Sequence, residues 1–263
     1  MNVVFTQIDT ACIRIDINGF VILTDPAFDA AGGTYASGGG RTLYKTGSPA
    51  IDESSIGPVH LVLLSHDQHK DNLDNAGRAF IKTAPRVLST KEARERLEQP
   101  NVRGIDEWET VSVPTDLVPG LRITGTPCQH ATTQELHRAA GHVLGFLIEW
   151  DGQENGALYI SGDTVLFEGI YEIARRYKVD TAVLHVGKAG FPALIGEEYL
   201  TFTSEEAIQA ARLLKVNKFI PTHMEGWEHF LETPKQTHQR IAGSDMAARL
   251  VWLEPGVPRT LDI

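Results

Sequence analysis

Four side chains able to bind metal or move protons, His66, Asp67, His69 and Asp71, fall within six residues of the run Ser65 to Asp74, SHDQHKDNLD. An apolar strand-type run, Leu61 to Leu64, comes directly before it. A loop leaving the end of a buried strand aims several side chains into one cavity, and imidazole together with carboxylate suits Zn²⁺, Mn²⁺ or Fe²⁺. Taken alone, the run also reads as a solvated polar turn. Four later segments repeat the arrangement. TPCQH ends in His130, YISGDT carries Asp163, LHVG carries His185 and IPTH ends in His223. Each lies at or just past the end of an apolar run. One such histidine is more often a hydrogen-bonded structural residue. Several strand ends that each deliver a ligand-type side chain are hard to explain as independent accidents. Gly162 permits close backbone approach, and the two oxygens of Asp163 suit a bridge between two ions.

The elements that must position these residues follow from periodicity. Val3 to Ile8, Ala11 to Ile17 and Phe20 to Thr24 read as strands, with Asn18-Gly19 as a tight hairpin turn. Asp71 to Ala84 reads as a helix with Leu73, Ala76, Ala79 and Phe80 on one face. Further strands are expected at Thr110 to Val113, Leu121 to Thr126, Leu144 to Trp150, Ala157 to Ser161, Thr181 to Val186, Lys218 to Pro221 and Arg249 to Leu253. Helices fit Lys91 to Leu97, Phe167 to Tyr177, Ser204 to Leu214 and Pro234 to Ala242, the last two capped by Thr203 and Thr233. An antiparallel start followed by two rounds of β/α alternation implies two sheets covered outside by helices. Without repeats or linkers, residues 1–263 read as a single domain. The glycine-rich segment Ala31 to Arg41 lacks a Gly-Lys-Ser/Thr ending and reads as a surface loop rather than a phosphate-binding loop.

Composition narrows the function classes. The 263 residues carry 24 basic and 34 acidic side chains, a formal charge of −10, with ten histidines. That balance, without a Lys/Arg cluster, disfavours nucleic acid as partner. No apolar stretch approaches the roughly 20 residues needed to span a bilayer, so no membrane role is expected. Cys12 and Cys128 allow at most one bridge and no secretion-type segment opens the chain, which makes the cytoplasm the expected location.

The ordered set SHDQHKDN, His130, SGDT and PTH resembles the metallo-β-lactamase fold superfamily. Within it the chain is similar to the branch holding the ascorbate-phosphate lactonases and the phospholipase D that cleaves N-acyl phosphatidylethanolamine. Thr24-Asp25-Pro26, Tyr44-Lys45-Thr46 and EGWEHF at Glu225 to Phe230 also match that branch. The resemblance implies an α/β four-layer αββα sandwich and a centre of one or two divalent transition ions, Zn, Mn or Fe. It further implies a metal-dependent hydrolase acting on a small ester, lactone or phosphodiester, a small-molecule substrate as partner, and possible assembly into a homo-oligomer.

The superfamily signature is His-x-His-x-Asp-His, and this chain departs from it. Matching Ser65-His66 to its start inserts one residue and puts Gln68 at the second histidine; anchoring on Asp71 makes the first histidine Asp67. Either way Asn72 stands where the final histidine belongs. A one-residue bulge would let His66 and His69 meet His130 at a first ion, with Asp71, Asp163 and His223 at a second. By the same resemblance Asp71, with Asp67 as a second choice, orients or deprotonates the attacking water, and His185 is a catalytic-pocket residue rather than a ligand, in contact with substrate or transition state. Thr201, His229 and Trp227 are substrate contacts, although Trp227 and His229 equally fit a packed aromatic corner. His137, near His130, is a candidate replacement for the missing histidine, while His60, His142 and His238 read as surface or core residues. The departures keep an alternative open: a non-catalytic relative that binds a ligand through an eroded site.

Overall fold

The computed structural model describes residues 1–37 and 41–263; Gly38, Gly39 and Gly40 of the expected loop lie outside the described residues. Strands β1 (Asn2–Asp9), β2 (Cys12–Ile17) and β3 (Phe20–Thr24) pair antiparallel. Strands β4 (Thr34–Ser37) and β5 (Arg41–Tyr44) form a separate antiparallel pair, so the described flanks of the glycine-rich segment are strand rather than loop. Then follow β6 (Leu61–Leu63), helix α1 (Asn75–Phe80), β7 (Val87–Thr90), helix α2 (Lys91–Leu97) and β8 (Val102–Ile105). The parallel strands β6, β7 and β8 extend the first sheet beyond β3.

The second sheet starts with β9 (Thr110–Ser112) and β10 (Arg122–Pro127). After helix α3 (Gln134–Ala140) it adds β11 (Leu144–Glu149), β12 (Ala157–Ile160), helix α4 (Glu168–Arg176) and β13 (Val179–His185). Helices α5 (Pro192–Ile195) and α6 (Ser204–Leu213) precede β14 (Lys218–Thr222); helix α7 (Pro234–Ala242) and β15 (Arg259–Asp262) close the chain. The orders are β15-β1-β2-β3-β6-β7-β8 and β14-β13-β12-β11-β10-β9.

Strand alternation explains why these sheets stack. Ile13, Ile15 and Ile17 of β2, Leu61 and Leu63 of β6, Phe146 and Ile148 of β11 and Leu158 and Ile160 of β12 share the core between the sheets. The opposite faces are apolar as well. Tyr159, Ala182 and Leu184 pack with Ile170, Ile173, Ala207 and Ile208 of α4 and α6, while Val62 and Val87 pack with Leu73 and Ile81 around α1. Helices therefore cover both outer faces, giving the four-layer αββα sandwich. No helix among the described residues is long and apolar enough to cross a membrane.

Three expectations need correction. The helix proposed from Asp71 begins at Asn75, because Asp74 caps it by accepting from the Gly77 amide at 2.8 Å. Residue 77 must be glycine: a Cβ there would lie 1.8 Å from the Pro26 carbonyl oxygen. The strand expected at Arg249 to Leu253 is a 3₁₀ turn over Ala247–Arg249, then an extended segment bridging Phe219 only at Leu250. Strands β7 and β8 were not expected; β8 (VRGI) is four residues long with a glycine inside, too short and interrupted for periodicity to register.

Candidate metal centre

The ligand-type residues at five strand ends converge at one end of the sandwich. His66 follows β6, His130 follows β10, Asp163 follows β12, His185 ends β13 and His223 follows β14. His223 holds a left-handed backbone at φ +63°, a conformation that costs a non-glycine residue about 1 kcal/mol or more and recurs at functional sites.

His66, His69, His130 and Asp163 each present one ligand atom, all within 4.8 Å of one another. His69 Nδ1 lies 3.0 Å from both His66 Nε2 and His130 Nε2, and Asp163 Oδ2 lies 3.9 and 3.7 Å from those two nitrogens. A tetrahedral zinc with bonds of about 2.0–2.1 Å spaces its donors roughly 3.3 Å apart, so this set fits the ion. Asp163 faces a second group with its other oxygen. Oδ1 lies 2.8 Å from His185 Nδ1 and 3.4 Å from His223 Nε2, which is itself 3.4 Å from Asp71 Oδ2.

Hydrogen bonds around the cluster fix which nitrogens face inward. The Leu200 carbonyl can only accept, so His130 Nδ1 donates to it at 2.8 Å and Nε2 keeps its lone pair for the cluster. Ser65 Oγ donates to Asp25 Oδ2 at 3.0 Å and faces His66 Nδ1 at 2.9 Å, orienting that ring the same way.

Electrostatics calls for a cation here. Burial pushes His66 well below the usual imidazole range and, together with neighbouring His130, pushes His69 to about 4, so both present lone pairs at neutral pH. Burial works against the Asp71 carboxylate, yet the His223 and His229 rings beside it outweigh burial and hold that carboxyl well below its usual range. Burial would lower His223 too, but the charges of Asp163 and Asp71 pull it up to about 9. Burial raises Asp25 to about 8, so its ionised form also needs positive charge nearby. Buried carboxylates of this kind are paired or coordinate metals.

Beside the cluster lies a cavity of about 60 Å³, walled by Leu43, Leu136, Ala139, Ala140, Ala189, Phe191, Ile195 and Leu200, with His69, Asp71, His130 and His229 exposed to it. Among the described residues, none that lines it is lysine or arginine. A second cavity shares Leu43, Phe191 and His229 with the first. Periodicity missed the walls at Leu136, Ala139, Ala140 and Ile195 because they lie on short helices, α3 and α5. Leu136, Ala139 and Ala140 at i, i+3 and i+4 were the signal available for α3.

The expected site residues are not all brought together. His66, His69, Asp71, His130, Asp163 and His223 meet, and His229 lines the cavity with Nε2 3.0 Å from Asp71 Oδ2. Asp67 does not join them. Its carboxylate is turned to Arg96 Nε at 2.9 and 3.1 Å and to Arg78, which corrects its expected role on water. Thr201 is buried, accepting from the Ala189 amide and donating to the Val186 carbonyl, so it is a brace rather than a substrate contact. Trp227 lines neither cavity. It packs on Tyr35 and beneath Lys45, which in turn pairs with buried Asp9. His185 is fully buried, stacked on His223 and facing Asp163 rather than lining the pocket. His137 Nδ1 accepts from the His130 amide and so replaces no ligand through that atom. Asp25 and Asn72, given no role by sequence, both belong to the support. Turned to satisfy its neighbours, the Asn72 amide nitrogen donates to Asp71 Oδ1 at 3.3 Å and Asp163 Oδ2 at 3.2 Å.

A family model described as the beta-lactamase superfamily domain matches residues 21–224. The chain belongs to the β-lactamase superfamily. A UPF0173 metal-dependent hydrolase of Desulfitobacterium hafniense is 30% identical over 233 residues, covering 82% of this chain and 89% of its own length. Among solved structures, an isothiocyanate hydrolase from Delia radicum gut bacteria superposes with a TM-score of 0.81 at 21% identity, covering 99% of this chain and 98% of the other. One described as a possible metal-dependent hydrolase from Veillonella parvula gives 0.82 at 20% identity, covering 98% and 99%. With its histidine and aspartate cluster, this superfamily member is a metal-dependent hydrolase of the metallo-β-lactamase fold.

Proposed function

We propose that the chain hydrolyses a small, uncharged substrate with an electrophilic carbonyl-type carbon, an ester or lactone, at a centre held by His66, His69, His130 and Asp163, with Asp71, Asp163 and His223 offering a second position. The observation carrying this reading is the cavity wall. Apolar side chains surround the cluster and, among the described residues, no lysine or arginine lines the space, whereas a phosphodiester would bring a negative charge needing such a partner. The isothiocyanate that the similar structure's name gives as substrate is likewise a small uncharged electrophile.

A divalent zinc, manganese or iron ion supplies polarisation of the substrate oxygen and acidifies water. The chain supplies the remaining functions. Asp71 lines the cavity, is held ionised and orients the attacking water by accepting its hydrogen bond. His229 hydrogen-bonds that carboxylate and, against Phe191, forms the wall that orients substrate. The aliphatic walls exclude bulk water, which strengthens each of these interactions.

The test measures bound metal and turnover of short-chain p-nitrophenyl esters, γ-lactones, an alkyl isothiocyanate and bis-p-nitrophenyl phosphate. Metal should co-purify, and turnover of an uncharged substrate should disappear with chelator and in Asp163→Ala. Turnover confined to the phosphodiester, activity surviving in Asp163→Ala, or a purified protein without metal would overturn the reading.

A further inference from the structure

Asn72 leaves the second position one imidazole short of the family pattern, and the geometry around β13 and β14 indicates what makes up for it. Asn72 is fully buried and its amide nitrogen faces the carboxylates of Asp71 and Asp163, so it presents a donor where a ligand lone pair would be needed. His185 and His223 sit on neighbouring parallel strands, in a register that pairs His185 with Thr222. Their rings stack with centroids 5.1 Å apart at 14°. The His185 amide is fixed by Ser161 Oγ at 2.9 Å, and its Nδ1 lies 2.8 Å from Asp163 Oδ1.

His185 Nε2 and both nitrogens of His223 are buried without a hydrogen-bond partner among the described residues. Of these atoms His223 Nε2 faces the carboxylates, 3.4 Å from both Asp71 Oδ2 and Asp163 Oδ1 and hydrogen-bonded to neither; an unsatisfied buried polar atom costs on the order of 1–3 kcal/mol, and a cation bound between these groups would satisfy it. Asp163, His185 and His223 each present one ligand atom, all within 4.8 Å of one another, and Asp71 Oδ2 lies 3.4 Å from His223 Nε2.

Building on the metal-centre reading above, we propose that His185 is the ligand that replaces the imidazole missing at position 72. The second ion is then held by Asp71, Asp163, His185 and His223. Asn72 acts as a positioning residue, its amide fixing the Asp71 and Asp163 carboxylates. The chain has thus moved one ligand from the loop after β6 to the end of β13 without losing the site.

The experiment compares zinc equivalents by elemental analysis, after desalting in metal-buffered solution, for wild type, His185→Asn and the double variant His185→Asn/Asn72→His. Asparagine keeps a nitrogen donor near Nδ1, so it preserves a bond to Asp163 but makes a poor ligand. Wild type should hold two equivalents, His185→Asn one, and the double variant two again, with unchanged circular dichroism. His185→Asn retaining two equivalents would show that His185 only braces Asp163 and would overturn the proposal, as would loss of both equivalents in a folded variant. A folding failure is bypassed by NMR on cobalt-loaded wild type, where five shifted imidazole N–H signals support the proposal and four overturn it. Wild type with one equivalent removes the second position but leaves the first standing; wild type with none overturns the proposed function itself.

Discussion

Changing Ser65 to alanine removes a hydroxyl that lies outside the cluster yet sets the direction of one of its nitrogens. Ser65 Oγ is 2.9 Å from His66 Nδ1 and 3.0 Å from Asp25 Oδ2, while the Ser65 amide independently donates to Asp25 Oδ1 at 2.7 Å. The variant therefore keeps the amide bond that anchors Asp25 and loses both hydroxyl bonds, the one to Asp25 Oδ2 and the one that orients the imidazole. Hydrogen bonds to charged groups are worth about 1.5–3 kcal/mol, which at 1.4 kcal/mol per tenfold corresponds to roughly 10- to 100-fold in affinity. That agrees with the range of about 10- to 100-fold for partners that orient a metal-bound histidine. Zinc competition against a chromogenic chelator at neutral pH should show the first equivalent weakened by this factor, with little change in the melting of metal-free protein. An affinity indistinguishable from wild type would refute the claim that the Asp25–Ser65–His66 chain orients the ligand. An equal loss of stability with and without zinc would assign the hydroxyl to the fold instead.

Asp67→Asn should retain bound metal and keep kcat close to wild type while costing about 1–2 kcal/mol of stability, because half-exposed Arg96 loses its partner. A drop of about 100-fold or more, the scale of a lost general base, would restore Asp67 to the reaction. His142 bonds Glu107 and Glu92, which raise its pKa against some burial. A raised folded pKa means this stabilisation is present below about 6.5 and is lost as pH rises through the folded value. The difference in melting temperature between metal-loaded wild type and His142→Gln should shrink by no more than about 2–4 °C from acid to alkaline pH, as suits a partly exposed pair worth under about 1 kcal/mol. A difference that grows with pH would reverse the sign.

Where the sequence could be read, burial made it readable. Ile13, Ile15 and Ile17 alternate in β2, and Thr203 with Glu206 closes a capping box on α6, so a short local pattern determines each element. Elements decided by tertiary neighbours left no such pattern. Helix α5 is one turn long and starts at Pro192, and β15 becomes a strand because it lies along β1 from Asn2 to Phe5. The aspartate and glycine around SGDT were legible because a strand end must turn sharply there, with Gly162 at φ +62° against the Leu144 carbonyl.

The metal site is harder to read than the fold because its specification is spatial. A signature counted along the chain treats the extra residue between His66 and His69 as damage. In space the insertion is absorbed outside the site. Asp67 is drawn to Arg96 and Arg78, Gln68 donates to the carbonyls of Ala140 and His142 at 3.1 Å, and His66 and His69 still meet at 3.0 Å. Those outward bonds are made with residues 11 to 74 positions away, so no short window around the motif contains the reason the motif survives its own insertion. The same holds at position 72, where whether a histidine is needed depends on what β13 brings to Asp163. Strand ends gathered by a rigid sandwich fix where ligand atoms converge, and this leaves the chain free to change which strand supplies each of them.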